Sequence, residues 1–325
     1  MTDGFGRTID YLRISVTDKC NLRCRYCMPR EGIALIPHRE LLTLEEVYRV
    51  VRIMAGMGIC KVRITGGEPL VRKNVTKLIK DIHGLPGMEE IAMTTNGVLL
   101  GEQVEELKAA GLTGVNISLD TLHPQTFERI TGFDRHGQVM EAVEKVLEQG
   151  MKLKINCVPC RGLNDTELTE LASLAKERPV DIRYIELMPV GCGRDFEGIP
   201  SHEILAGLEA CYGKAQLSEE KRGNGPARYY DFPGFCGKVG FISPISHKFC
   251  GECNRVRLTA EGRLKLCLHY DRGLELKPLL RGGATDGDIR HEVEEALQKK
   301  PKEHDFEHIG EREGSEKRKM VQIGG

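Results

Sequence analysis

An α/β chain built as a partial barrel of six βα units of the TIM type, its open side closed by a smaller irregular C-terminal domain, is what three features of this sequence predict. Through the first 190 residues, short β-branched runs alternate with amphipathic stretches. The strand candidates carry their aliphatic residues on one parity and polar residues on the other. After about residue 190 the cadence breaks into segments rich in glycine and proline.

The strand candidates are residues 11–16, 59–65, 90–95, 114–119, 152–158 and 181–187. Helices lie between them. One opens on the capping box Thr43-Leu44-Glu45-Glu46, and others fall near 102–110, 138–149 and 167–176. Leu12, Ile14, Val16, Val62, Ile64, Val115, Ile117, Leu119, Leu153 and Ile155 share the parity that packs beneath helices. The opposite parity holds Arg13, Ser15, Lys61, Arg63, Thr65, Asn116, Ser118, Asp120, Lys154 and Asn156. A closed eight-stranded barrel fills its inside with bulky aliphatic side chains, so this polar parity predicts an open, wet lumen for a charged substrate. The alternative is a sheet with one solvated face. Beyond 190 come a short helix at 202–210 and strands at 228–232, 238–242, 255–259 and 263–266, giving domains 1–190 and 191–325. From Lys299 onward the chain is charged and poor in large apolar residues, which predicts a mobile tail when isolated.

Composition narrows the function. The 325 residues carry 47 Lys and Arg against 48 Asp and Glu, a net charge of −1, which excludes a basic nucleic-acid coat and an acidic disordered tail. No apolar run reaches the roughly 18 residues needed to span a bilayer, and Met1 to Arg7 lacks the apolar stretch of a signal peptide, so a soluble cytoplasmic protein is expected. The 12 cysteines are then metal ligands or catalytic thiols before they are disulfides.

Directly after the first strand stands Asp18-Lys19-Cys20-Asn21-Leu22-Arg23-Cys24-Arg25-Tyr26-Cys27. Three thiols on one loop can converge on a cubane and leave one iron open to a small molecule, whereas structural zinc takes four protein ligands. This spacing, with an aromatic residue before the last cysteine, resembles the radical S-adenosylmethionine enzymes. Gly66-Gly67-Glu68-Pro69 after the second strand extends the resemblance: glycines admit close backbone approach, and the Glu68 carboxylate is expected to accept from the ammonium of the methionyl group.

A second group, Cys250-Gly251-Glu252-Cys253 with Cys267, reads as three thiols on a hairpin. On spacing alone it is either another three-thiolate cluster or a zinc site completed by His247 or His269. The whole chain resembles the GTP 3′,8-cyclase family of molybdenum-cofactor biosynthesis. The resemblance is carried by the stretch from Asp10 to Cys20, Thr94-Thr95-Asn96-Gly97, Asn116-Ile117-Ser118-Leu119-Asp120, Arg183-Tyr184-Ile185-Glu186-Leu187-Met188, Cys253-Asn254-Arg255-Val256-Arg257-Leu258-Thr259 and the terminal Gly324-Gly325.

The resemblance implies two [4Fe-4S] clusters, one on Cys20, Cys24 and Cys27, the other on Cys250, Cys253 and Cys267, with His247 and His269 as non-ligands. It implies that Tyr26, Gly67, Glu68, Ser118 and Met188 bind S-adenosylmethionine. Arg13, Arg63, Thr94, Lys154, Arg183, Arg255 and Arg257 are implied to bind GTP. Arg13, Lys154, Arg255, Arg257 and the tail glycines Gly324 and Gly325 are implied to serve turnover. A 5′-deoxyadenosyl radical would remove the 3′ hydrogen of GTP and the sugar carbon would attack C8 of guanine, the first step toward molybdopterin. The implied partners are a low-potential electron donor and the downstream cyclic pyranopterin monophosphate synthase, with no nucleic acid and no membrane, for a monomer or homodimer. Two rival readings remain: a radical peptide maturase with an auxiliary cluster, and a non-catalytic zinc-binding module. Cys157 and Cys160 read as unliganded thiols, and Cys60, Cys192, Cys211 and Cys236 as packing residues.

Overall fold

The computed structural model describes residues 1–220, 222–306 and 315–324. Six parallel strands follow one another in space as in sequence: β1 (Tyr11–Ser15), β2 (Lys61–Thr65), β3 (Glu90–Thr95), β4 (Gly114–Ser118), β5 (Lys152–Cys157) and β6 (Asp181–Ile185). Each lies within two residues of its expected limits. Helices α1 (Leu44–Ala55), α2 (Val75–His83), α3 (Val104–Ala109), α4 (Pro124–Thr131), α5 (His136–Glu148) and α6 (Leu168–Glu177) supply the crossovers. The Thr43 box closes as its sequence predicts: Glu46 N–H donates to Thr43 Oγ1 at 3.1 Å, and Thr43 N–H donates to Glu46 Oε2 at 2.8 Å. α1 buries Val47, Val50, Val51 and Met54 against the sheet, the spacing of one helical face. The capping signal did not disclose α2, which starts on a left-handed Asn74 without a side-chain cap, or α4, which starts on Pro124.

The rest of the chain extends the same sheet at both edges. After α7 (Ser201–Tyr212) come β7 (Gln216–Leu217), β8 (Arg228–Asp231), β9 (Val239–Ile242), β10 (Arg255–Leu258), β11 (Arg263–Lys265) and β12 (Gly273–Glu275). β9 lies parallel beside β6 and carries β8 and β7 antiparallel on its far side. β10 lies parallel beside β1 and carries β11 and β12. The twelve strands form one sheet, β12-β11-β10-β1-β2-β3-β4-β5-β6-β9-β8-β7, the α/β partial barrel predicted. Helices α8 (Leu276–Arg281) and α9 (Asp286–Gln298) escaped the sequence reading, although Thr285 and Asp288 form a reciprocal cap. α9 docks on α1 through Asp286, which accepts from Arg49 at 2.8 Å and Arg52 at 2.6 Å. No helix among the described residues is long and apolar enough to cross a membrane.

Of the charged tail, residues 307–314 and Gly325 lie outside the described residues. Residues 315–324 include a last short helix, α10 (Met320–Ile323), and are packed down by charge. Glu316 and Lys265 form an ion pair whose side chains are fully buried, and Arg318 reaches Glu316, Glu261 and Asp271. Burial alone would raise the Glu316 carboxyl, but Arg318 and Lys265 outweigh it and hold it at about 2. Burial lowers Lys265 below its ordinary value despite the opposing pull of Glu316 and Asp271. A charged tail is therefore held because its charges find buried partners.

Removing one member of this pair strands the other in the interior, so Glu316→Gln should cost about 3–5 kcal/mol in denaturant unfolding. The folded carboxyl lies below its unfolded value of about 4.3. The deficit should therefore be complete above that pH and shrink as pH falls toward 2.

Candidate active site

One face of the curved sheet surrounds a cavity of about 370 Å³ lined from β10, β1 to β6, β9 and β8. Parallel register sets its floor. Arg13 lies level with Arg257 on one side and Arg63 on the other, Asn116 lies between Thr94 and Lys154, and Asn156 lies beside Arg183. Arg13, Arg63, Thr94, Lys154, Arg183, Arg255 and Arg257 all line this cavity, as do Tyr26, Gly67, Ser118 and Met188. Cys20, Cys24 and Cys27 line it from the loop after β1, and Cys250, Cys253 and Cys267 line it from the segments around β10 and β11. A wider groove of about 1200 Å³ adjoins the cavity along Asn224, Gly225, Pro226, Phe249 and Arg255, but it contains none of these cysteines.

Crowding of cations dominates the electrostatics. Burial, then Arg257, lowers Arg13 well below the usual guanidinium value. Burial, then Arg255, brings Arg257 to about 10, and burial, then Arg183, brings Lys154 to about 8. Lys154 Nζ donates to the Arg222 carbonyl at 2.9 Å and to the Tyr229 hydroxyl at 3.2 Å. Arg183 donates through Nε and Nη2 to Asn156 Oδ1, and Arg63 donates to the Tyr11 hydroxyl. An anion entering here meets several fixed, directional donors.

The first cysteine loop is held by close backbone contact. Gly67 N–H donates to Thr17 O and Glu68 N–H to Lys19 O, each at 2.7 Å. A Cβ on Gly67 would run into the Lys19 carbonyl. Glu68 follows Gly67 in the chain. It is fully buried and does not line the cavity; its carboxylate accepts from Leu70 N–H at 3.0 Å, Thr95 Oγ1 at 2.8 Å and Asn96 N–H at 2.7 Å. Two of those donors meet Oε1 and one meets Oε2, so Oε2 keeps acceptor capacity. Burial lifts Glu68 to about 7. Tyr26 donates to Asp120 at 2.6 Å, and burial lifts that carboxyl to about 6.

The two thiol groups sit in different fields. Burial, then Cys20 and Cys192, pushes Cys27 up to about 12, while burial, then Cys27, raises Cys24 well above the ordinary thiol value. Cys20 also rises through burial, although Leu22 N–H at 3.4 Å and Asn96 Nδ2 at 3.8 Å donate to its sulfur. In the second group burial raises Cys250. Burial likewise opposes the thiolate of Cys253, but Lys300, Arg255 and the Arg255 N–H outweigh it and leave the thiol below its ordinary value. Among the described residues no three or more His, Cys, Asp or Glu side chains are gathered around a single-ion position. A cubane takes each thiolate on a different iron and so spaces its ligands more widely than one ion does, and three free thiols facing a cavity suit it. His247 lines the outer groove, and His269 lies within the cavity wall, edge-on to Tyr270 and Phe306.

Gly324 meets the site through its carbonyl, which accepts from Arg257 Nη1 at 2.7 Å. Its φ is +75°, and a Cβ would stand 2.8 Å from Thr65 Oγ1, so glycine is required there. Gly325 lies outside the described residues. Tyr11 and Tyr229 also line the cavity and were missed. Tyr11 shares the parity of Arg13, a usable signal; Tyr229 depends on Gly240 across the ladder, where a Cβ would stand 2.8 Å from its ring. Cys157 and Cys160 are buried, and burial raises both thiols. Cys211 and Cys236 are exposed rather than packed, Cys211 in the last turn of α7 and Cys236 in the loop before β9.

Comparison with known proteins agrees with this arrangement. Residues 14–175 match the family model of the radical SAM superfamily, and residues 180–306 match the model described as Molybdenum Cofactor Synthesis C. The chain is 47% identical over 327 residues to the GTP 3′,8-cyclase of Clostridium perfringens strain 13, and 48% identical over 332 residues to that of Syntrophomonas wolfei, with all of each chain covered. Among solved structures, Streptococcus suis SuiB bound to S-adenosylmethionine superposes with a TM-score of 0.63 at 15% identity, covering 94% of this chain and 75% of that one. That likeness is one of fold.

Gly67→Ala should force the loop carrying Cys20 away from the end of β2. Overpacking of this kind costs about 1–3 kcal/mol, and urea unfolding together with faster amide exchange at residues 17–20 would register it.

Proposed function

The chain belongs to the GTP 3′,8-cyclase family of radical S-adenosylmethionine enzymes, and from that premise we propose a role for each residue of its cavity. The reaction converts GTP to (8S)-3′,8-cyclo-7,8-dihydroguanosine 5′-triphosphate, the first step of molybdenum-cofactor biosynthesis, with S-adenosylmethionine and a four-iron cluster. The observation that carries the assignment is that both cysteine groups and the row of arginines face one chamber.

Cys20, Cys24 and Cys27 hold the first cluster. When bound there, the group would supply one-electron reducing chemistry toward S-adenosylmethionine seated beside it. Tyr26, Gly67, Glu68, Ser118 and Met188 would seat the cofactor, with the Glu68 carboxylate steadied by the Asn96 N–H. Cys250, Cys253 and Cys267 hold a second cluster at the nucleotide end of the chamber. Arg13, Arg63, Arg183, Arg255 and Arg257, with Lys154 and Thr94, bind GTP, their forks meeting the triphosphate oxygens that bulk water no longer reaches. Gly324 would close the chamber beside Arg257, keeping water from the reacting atoms, and the terminal Gly325 is assigned to the same role on its sequence alone. Residues 1–190 form the S-adenosylmethionine half and residues 191–325 the second-cluster half. A low-potential donor reduces the enzyme in the cytoplasm, and the product passes to the cyclic pyranopterin monophosphate synthase.

Protein purified without air should carry about eight irons per chain, where a zinc site would replace four of them with one zinc. Cys24→Ala should form no 5′-deoxyadenosine. Cys253→Ala should still form it while losing the cyclised nucleotide; full cyclisation by this variant would remove the second group from the mechanism. Arg257→Ala should weaken GTP binding by about tenfold or more and S-adenosylmethionine binding much less, measured by equilibrium binding to the holoenzyme.

A further inference from the structure

Lys300 emerges from the last turn of α9, where its N–H donates to the Leu297 carbonyl at 3.0 Å. Instead of continuing to solvent its side chain turns inward and is only 3% exposed. Nζ donates to the Arg255 carbonyl at 3.0 Å and to the Leu266 carbonyl. Those two carbonyls lie two residues beyond Cys253 and one residue before Cys267. The adjoining residues reach the third cysteine, because Arg7 donates to the carbonyls of Cys250 at 2.8 Å, Lys302 at 2.8 Å and Pro301 at 2.7 Å. Residues 300–302 are thus tied to the backbone around all three thiols.

Among the described residues, Lys300 forms no ion pair with a carboxylate; both of its hydrogen bonds go to carbonyls. A buried ammonium without an opposite charge is unfavourable, and carbonyl dipoles offset only part of that cost. The second cysteine group offers the missing charge. Three thiolates outweigh the positive charge of an oxidised four-iron core, and reduction adds one more negative charge. Among the levers that set a cluster's potential, a fixed cation beside it favours the reduced form.

We propose that Lys300 is the built-in counter-charge of the second cysteine site, a positioning residue that ties its ligand segments together and holds the reduction potential of its cluster above the value a neutral side chain would give. The inference rests on Cys250, Cys253 and Cys267 being cluster ligands, and it deepens that assignment.

The test uses full-length enzyme reconstituted without air, comparing wild type with Lys300→Met and Lys300→Arg by iron content and by redox titration followed with electron paramagnetic resonance. Lys300→Met should make reduction of the second cluster at least tenfold less favourable, which is about 59 mV for one electron, and leave the first cluster unchanged. Lys300→Arg should stay near wild type. Loss of the second cluster's iron in Lys300→Met but not in Lys300→Arg also supports the proposal, since charge then decides retention. Unchanged potentials in Lys300→Met overturn it, and so do equal losses in the two variants, which would make the effect one of packing. Wild-type protein holding only four irons would instead defeat the second-cluster assignment itself, a result distinguishable before any variant is made.

Discussion

Unbroken parallel register is the constraint on which the rest depends. Across β10, β1 and β2 the arginines Arg257, Arg13 and Arg63 stand level, and the next row is Leu258, Ile14 and Ile64. The aliphatic row is buried beneath the helices; the arginine row lines the chamber. A slip of one residue in any of these strands would exchange the rows, driving guanidinium groups into the helix interface and branched hydrocarbon into the chamber. The hydrophobic layer therefore fixes the polar one, and the active-site geometry follows from the packing of residues that never touch a ligand.

That geometry carries an electrostatic cost. Burial strips water from these guanidinium groups and neighbouring cations add to it, Arg257 acting on Arg13 and Arg255 on Arg257, which is why both hold their protons less firmly than free guanidinium groups do. A polyanion relieves this strain on binding and stabilises the fold by mass action. The two thiol groups divide the chamber further. Around Cys24 the neighbours are other thiols and Asp120, whereas around Cys253 they are Lys300 and Arg255. Cys24 thus meets negative surroundings and Cys253 positive ones.

Much of this was legible because it obeys short periods. Strand parity placed Arg13, Arg63 and Lys154 in the lumen, and the cysteine spacings marked both loops. What escaped depended on long-range contact. Glu68 reads as a carboxylate without neighbours, and only the fold shows that Leu70, Thr95 and Asn96 donate to it. Lys300 lies in a charged stretch that reads as solvated, and only the fold shows that it turns inward beside the second cysteine group. Glu316 reads as one more tail charge because its partner Lys265 stands some fifty positions away. Tyr229 has no local mark at all; its place is made by the missing side chain of Gly240.

The order in which the sheet is completed links these points. β1 is among the first elements in the chain, yet one of its two neighbours is β10, and the Asp10 carboxylate at its start accepts from Asn254, 244 residues later. Until β10 docks, β1 is an open edge and the first cysteine loop flanks a chamber with one wall absent. Docking brings Arg255, Arg257 and the second cysteine group in one event, and α9 then delivers Lys300 behind them. Contacts of such sequence separation form late, after their loop-closure entropy has been met. The cavity that would shield a radical therefore comes into being only when nearly the whole chain has folded, so a partly folded molecule has no chamber in which to begin the chemistry.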